Sequence, residues 1–311
     1  VVFLGRVPFA LLALFLGFVW LRRNRRNEPG PSFDVLGAVT LFGAMLCLMV
    51  GLRLGRSIGW TSLVVMGLLT FAPLFLAAFW WSERRAAWPV LPFQMFRVRG
   101  VVISSVTMFM AHFGAFVIWF IFPFYVGNNL GYGPFTLGVM MAVMAAANTG
   151  FSSTGGWLCD RVGTTAMGTI GLTALSVGLL LMGFLDEESG LEQVALRIAL
   201  VGVGTGLFQA SAFTLMMSNV PAKRFGTAGA AVALAQSLGT VLSVAVTGGL
   251  FALSNGYHLG VLGANGLGSA DNEARAFVLA YRDVFWMGAA IAVVAAGVFL
   301  MGRRTNPGES A

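Results

Sequence analysis

The stretch Gly156-Trp157-Leu158-Cys159-Asp160-Arg161-Val162-Gly163 separates two long apolar runs. A turn this short between antiparallel helices needs a residue that tolerates left-handed backbone geometry, which Gly163 supplies. Asp160 can cap the following helix or face the positive end of another. Arg161 adds a positive charge and a planar, bidentate donor. On local chemistry alone the segment is a capped, positively anchored turn.

The runs on either side belong to a chain whose composition assigns it to a membrane. Of 311 residues, 58% are hydrophobic and 10% charged, and the mean hydropathy is +0.84. A soluble protein of this length could not cover so much apolar surface with so few charges. Apolar runs of about 20 residues, enough to cross a bilayer, recur along the chain. They are continuous rather than alternating, which argues against a β-barrel. The 41 glycines suit a helical bundle, because small residues let membrane helices approach closely. The expected fold class is an all-α polytopic membrane protein with about nine transmembrane helices.

The window rule for hydropathy places those spans at 3–21, 34–54, 62–81, 101–126, 135–157, 165–185, 194–217, 227–253 and 283–302. The connections then sort by charge. One alternating set holds Arg22, Arg23, Arg25, Arg26, Arg84, Arg85, Arg97, Arg99, Arg161, Lys223, Arg224, Arg303 and Arg304, thirteen of the nineteen basic residues. The other holds Arg53, Arg56, Arg197, Arg275 and Arg282, with Arg6 near the start. The positive-inside rule puts the first set, and the C-terminus, in the cytoplasm. The net charge of +7 therefore reflects membrane orientation and not nucleic-acid binding. Val1 is not a methionine and already borders a span, so the chain is expected to be a portion of a longer one.

Two segments look like linkers. Residues 22–32 are basic and broken by Pro29-Gly30-Pro31. Residues 82–100 form an amphipathic stretch with Trp88, Pro89 and Pro92 that can lie at the membrane surface. The connection at 254–282, rich in Gly and Asn, is expected to be a flexible loop.

Several motifs, in order along the chain, resemble one family. A Gly-x-Leu-x-Asp-Arg-x-Gly turn such as Gly156 to Gly163 resembles the signature loop of major facilitator transporters. Phe3-Leu4-Gly5-Arg6-Val7-Pro8 is similar to the start of the sixth span in the fourteen-span drug:proton antiporters of the EmrB/QacA type. Phe33-Asp34-Val35-Leu36-Gly37-Ala38 resembles the beginning of the first of their two extra central spans, and Gly59-Trp60-Thr61-Ser62 the turn between those two. Pro89-Val90-Leu91-Pro92 with Phe96-Arg97 resembles the link into their C-terminal bundle. Pro221-Ala222-Lys223-Arg224-Phe225-Gly226 resembles a second loop of the same family. Two departures are Arg6 in place of an asparagine and Thr164-Thr165 where basic residues often follow the glycine.

The resemblance implies a partial major facilitator fold. Residues 1–22 would be the last span of an N-terminal bundle, 23–100 two central spans with their connections, and 101–311 a six-span C-terminal bundle. It further implies proton-coupled export of hydrophobic or cationic compounds by alternating access, in the inner membrane of a prokaryote. The partners would be lipid, protons, the substrate and a missing N-terminal bundle. Gly156, Asp160, Arg161 and Gly163 would be a conformational latch, and Pro221, Arg224 and Gly226 would belong to the second cytoplasmic loop.

Polar side chains at hydrocarbon depth are costly and usually face the bundle interior or a cavity. His112, Asn148, Gln209 and Gln236 are therefore candidate cavity-lining residues, with Trp119 from an aromatic set that includes Phe113, Phe116, Phe120 and Phe124. His112 either lines the pathway and changes charge near neutral pH or is a neutral ring bonded to a neighbouring helix. Thr149, Ser211 and Thr214 share these spans, and some of the polar set must be interhelical glue, since helical spacing cannot point all of them inward.

No acidic residue is expected in the middle of a span, with Asp34, Asp160 and Asp283 at span ends and Glu187, Glu188 and Glu192 in outer loops. A membrane-buried carboxylate for proton coupling would then lie in the missing half. Cys47 and Cys159 are too few and too separated for a disulfide framework or metal site. Gly202-Val203-Gly204-Thr205-Gly206 lies inside a span, so helix packing explains it better than nucleotide binding. Neither a cofactor, a metal nor a catalytic triad is expected. The rival readings are a same-fold transporter of another small solute and a membrane scaffold or sensor subunit that carries nothing.

Overall fold

A computed structural model describes residues 7–20, 34–59, 61–86, 93–186, 189–264 and 269–302. The Arg22 to Ser32 connection lies outside the described residues. So do Arg6, Phe33, Trp60, Trp88, Pro89, Pro92, Glu187, Glu188 and the Arg303-Arg304 pair.

The described residues contain nine α-helices and no strand: α1 (Val7–Trp20), α2 (Val35–Ile58), α3 (Leu63–Arg85), α4 (Arg99–Phe124), α5 (Pro134–Val162), α6 (Thr164–Met182), α7 (Leu191–Ser218), α8 (Phe225–Ala264) and α9 (Ser269–Leu300). Eight are long and apolar enough to cross a membrane. The exception is α1, whose 14 residues span about 21 Å, short of the roughly 30 Å of a hydrocarbon core. The remainder of the span expected at 3–21 includes undescribed residues.

Sequence chemistry accounts for the helix ends. Asp34 caps α2, its carboxylate accepting the Gly37 N–H at 2.8 Å. Pro123 lies near the end of α4, where the helix widens into a π-turn over Tyr125–Asn129. Gly163 alone joins α5 to α6. It is the C-cap of one and the N-cap of the next, at φ +94°, and its N–H bonds the Cys159 carbonyl at 3.0 Å.

Helices α4 to α9 share one core, built from residues such as Val117, Ile118, Phe122, Leu175, Phe208, Tyr281, Phe285 and Phe299. Close approach at its centre depends on the α7 glycines. A side chain at Gly202 or Gly206 would strike the α5 backbone at Met144 and Asn148, and one at Gly204 would strike α6 at Leu175 and Gly171. The two-residue alternation turns successive glycines to opposite sides of the helix, so α7 is wedged between α5 and α6. The α2–α3 pair stands apart, packing Gly43 on Phe75 and Gly51 on Leu69. It meets the bundle where Phe79 contacts Ala231 beside Leu41 and Leu234.

Outward-facing residues are apolar: Phe135, Leu196 and Leu253 are each more than 70% exposed, as a lipid-facing surface requires.

One expectation is overturned. The connection read as a flexible loop over 254–282 is largely helical, with α8 running to Ala264 and α9 starting at Ser269. Polar residues such as Asn272, Glu273 and Arg275 depress hydropathy without breaking a helix, and alanines among them favour one. Asp283 therefore lies well inside α9, not at its end.

Candidate functional site

A cavity of about 260 Å³ lies between α4, α5 and α7. Helix α4 contributes His112, Phe116 and Trp119, α5 contributes Asn148 and Thr149, and α7 contributes Thr205, Phe208 and Gln209. His112 and Trp119 are seven residues apart, two turns along one face. Four of the five candidate cavity residues, His112, Trp119, Asn148 and Gln209, thus come together.

The fifth does not. Gln236 on α8 directs its amide to the Met108 sulfur at 3.6 Å, behind the turn that carries His112. It reaches α4 one turn before His112 and is not part of the cavity lining. The aromatic set divides in the same way. Phe116 and Trp119 line the cavity, whereas Phe113 is buried against α8 near Gly239.

Hydrogen bonds orient the polar lining. His112 Nδ1 lies 3.0 Å from the Met108 carbonyl. A carbonyl can only accept, so Nδ1 carries the proton and Nε2 is the acceptor left to the cavity. Asn148 donates to the Thr205 hydroxyl at 2.9 Å, and that hydroxyl donates to the Val201 carbonyl at 2.9 Å. The Asn148 carboxamide oxygen stays available. Gln209 is half-buried and lines the same wall. The lining carries acceptors, amides and aromatic faces, with no carboxylate. Ser211 does not join it. Its hydroxyl donates to the Leu207 carbonyl at 2.8 Å and lies 3.1 Å from the Cys159 sulfur, tying α7 to α5. A larger groove of about 600 Å³ follows α6 from Val162 to Val177, but it lies on the outer face and holds no ionisable side chain.

The signature turn departs from the expected chemistry in one respect. Asp160 is exposed and does not cap α6, whose N-cap Gly163 has no side-chain bond. The reason is geometric: a single-residue joint leaves Asp160 within the last turn of α5. Arg161 lies over the Trp157 ring at 4.0 Å, one turn back on its own helix. Gly156 has open space around it, whereas its neighbour Gly155 packs on Ala210. Pro221 opens a short 3₁₀ turn in which the Arg224 N–H bonds the Pro221 carbonyl at 2.8 Å. Gly226 follows, exposed, in the first turn of α8.

Sequence reasoning passed over one cluster entirely. Asp283 on α9 accepts hydrogen bonds from Ser254 and His258 on α8. Both partners fell in the stretch read as a loop.

A lipid-exposed helical bundle around a polar-lined cavity has the build of a membrane transporter. The family model of the Major Facilitator Superfamily matches residues 35–244 and 104–311. The chain belongs to that superfamily and is a multi-pass membrane protein. It is 32% identical over 251 residues to a tetracenomycin C resistance and export protein of Streptomyces glaucescens, covering 81% of this chain and 47% of the relative. It is 28% identical to the multidrug resistance protein Stp of Mycobacterium tuberculosis, over 81% of this chain and 46% of that one. With multidrug resistance protein 3 of Bacillus subtilis the identity is 26%, over 87% and 54%. The chain spans about half the length of these curated relatives.

Proposed function

We propose that this chain is the C-terminal portion of a proton-coupled drug exporter. Residues 101–311 would form its six-span bundle, 23–100 its two central spans, and 1–22 the last span of an N-terminal bundle. The observation that carries the reading is the convergence of His112, Asn148, Gln209 and Trp119 on one cavity between α4, α5 and α7. The export named in the relatives points the same way.

Hydrophobic or cationic compounds would enter this cavity. The faces of Phe116 and Trp119 offer area and a negative quadrupole for a lipophilic cation. His112 Nε2, Asn148 and Gln209 offer hydrogen bonds that orient the guest. No carboxylate lines the cavity, so a coupling acid would come from the rest of the full-length protein and face this wall when the two bundles meet. Access would alternate as the bundles rock about the cavity, with Gly156, Asp160, Arg161 and Gly163 as a cytoplasmic latch. Pro221, Arg224 and Gly226 would form the second loop at that surface. We place the protein in the inner membrane of a prokaryote with its C-terminus in the cytoplasm.

The test uses the full-length protein in inside-out vesicles with a fluorescent lipophilic cation such as ethidium. An imposed acid-inside gradient is expected to drive ethidium accumulation, and a protonophore to abolish it. Accumulation indifferent to the gradient would remove proton coupling. Accumulation of organic anions in place of ethidium would favour a different solute.

A further inference from the structure

The pair that sequence reasoning missed lies at the end of the bundle opposite Gly163. There α6 ends near Asp186, whose carbonyl accepts the Tyr125 hydroxyl, and the Tyr125 ring lies tilted against that of Tyr281 of α9, 4.8 Å between centroids. Two residues on, Asp283 Oδ2 accepts from the Ser254 hydroxyl at 2.5 Å and from His258 Nε2 at 3.0 Å. Ser254 and His258 are four residues apart, so one face of α8 presents both donors to a single carboxylate oxygen. The other oxygen is 3.9 Å from Arg282 Nε, and the Arg282 guanidinium rests over the Trp286 ring. The His258 side chain is 17% exposed and that of Asp283 34%, so protons reach a pair that is partly shielded from bulk water.

The charged groups facing Asp283 are His258 from α8 and Arg282 from α9 itself. Helix α6, which also packs on α9, has no ionisable side chain. The ionisable groups of α4 are Arg99 in its first turn and His112 in the cavity. Tyr125, just beyond α4, is committed to the Asp186 carbonyl, and Arg197 of α7 donates to the Leu181 carbonyl at 3.0 Å. Within this cluster the imidazole is the side chain that can take up a proton to become a cation facing the carboxylate.

We propose that Ser254, His258 and Asp283 form a proton-binding site that clasps α8 to α9. Proton uptake places a full positive charge 3.0 Å from the carboxylate. Proton loss removes that ion-pair attraction and leaves a neutral imidazole N–H donating to the carboxylate. The sign follows directly: the clasp is tight with the imidazole protonated and relaxes when the proton leaves. Its position is the root of the α8–α9 hairpin, since α8 continues to Ala264 and α9 begins at Ser269. Acidification at this surface therefore stiffens the hairpin, independently of what the central cavity carries.

The test places spin labels at Val261→Cys and Glu273→Cys in a cysteine-free background of the full-length protein in lipid nanodiscs. Between about pH 8 and about pH 5.5, across the imidazole range, the inter-label distance distribution is expected to sharpen in the parent. His258→Gln keeps a donor but cannot titrate, and is expected to lose that response. Asp283→Asn, which removes the negative charge, is expected to lose it as well. A parent indifferent to pH, or a response that persists in His258→Gln, overturns the proposal. Should Asp283→Asn not reach the membrane, His258→Gln decides alone.

Discussion

His112 donates its Nδ1–H to the Met108 carbonyl at 3.0 Å, one turn back on α4, and this bond determines which ring nitrogen the cavity sees. The bonded nitrogen is spent on the helix. The other is a neutral acceptor until a proton arrives, and then a charged donor. His112→Phe keeps a ring and removes the acceptor. Its expected effect is an approximately fivefold weaker Kd for a hydrogen-bonding substrate, the equivalent of about 1 kcal/mol. Fluorescence titration of the purified full-length protein checks this. An unchanged Kd would place the substrate elsewhere.

Gly163 and Gly156 stand at the two ends of the same motif but carry different constraints. Gly163 has φ +94°, whereas Gly156 is helical with open space around it. Gly163→Ala is expected to cost about 1 kcal/mol or more, because an L side chain is strained at that φ. Gly156→Ala is expected to be neutral or slightly stabilising. Thermal unfolding in detergent separates the two, and equal Tm values would contradict the assignment.

The α7 glycines predict a sharper contrast. Gly206→Val drives a side chain into the Asn148 backbone, while Gly297→Val on α9 meets open space. The first is expected to abolish the monodisperse peak in fluorescence-detected size exclusion, and the second to preserve it. Tolerance of both would mean that α5 and α7 pack differently.

Asp160 is exposed, caps nothing and has no ion pair to another described residue. Asp160→Asn is accordingly expected to leave the unfolding free energy within about 0.5 kcal/mol of the parent, the range usual for surface changes. If the turn is a latch, transport by the full-length protein falls all the same. Unchanged transport together with unchanged cytoplasmic accessibility would dispose of the latch.

Membrane class and the role of Gly163 were legible because each rests on a local constraint: continuous hydropathy in the first case, a backbone angle that favours glycine in the second. That α5 stays helical to Val162, so that the turn read over 156–163 shrinks to one residue, was not legible. The cavity was partly legible. Depth and polarity singled out His112, Asn148 and Gln209, but no local signal separates them from Gln236, whose direction depends on how α8 is rotated against α4. Gly155 went unnoticed beside the motif glycine Gly156, because a packing contact with Ala210 exists only once α5 and α7 are docked. His258 and Asp283 were misread for a different reason. A hydropathy window registers the polar residues around 272–275 as an end to the membrane segment, while the backbone continues as helix through them.

The alternating glycines of α7 have a mechanical consequence. With Gly202 and Gly206 seated on α5 and Gly204 on α6, any slide of α7 past one neighbour would have to climb over the other. The three helices are thereby geared to one another and turn as a single block. Little of α5 is covered, 11% of its span against 56% for α7, so the block carries a broad unengaged flank. Any relative motion would meet least resistance at that flank and at the lightly attached α2–α3 pair.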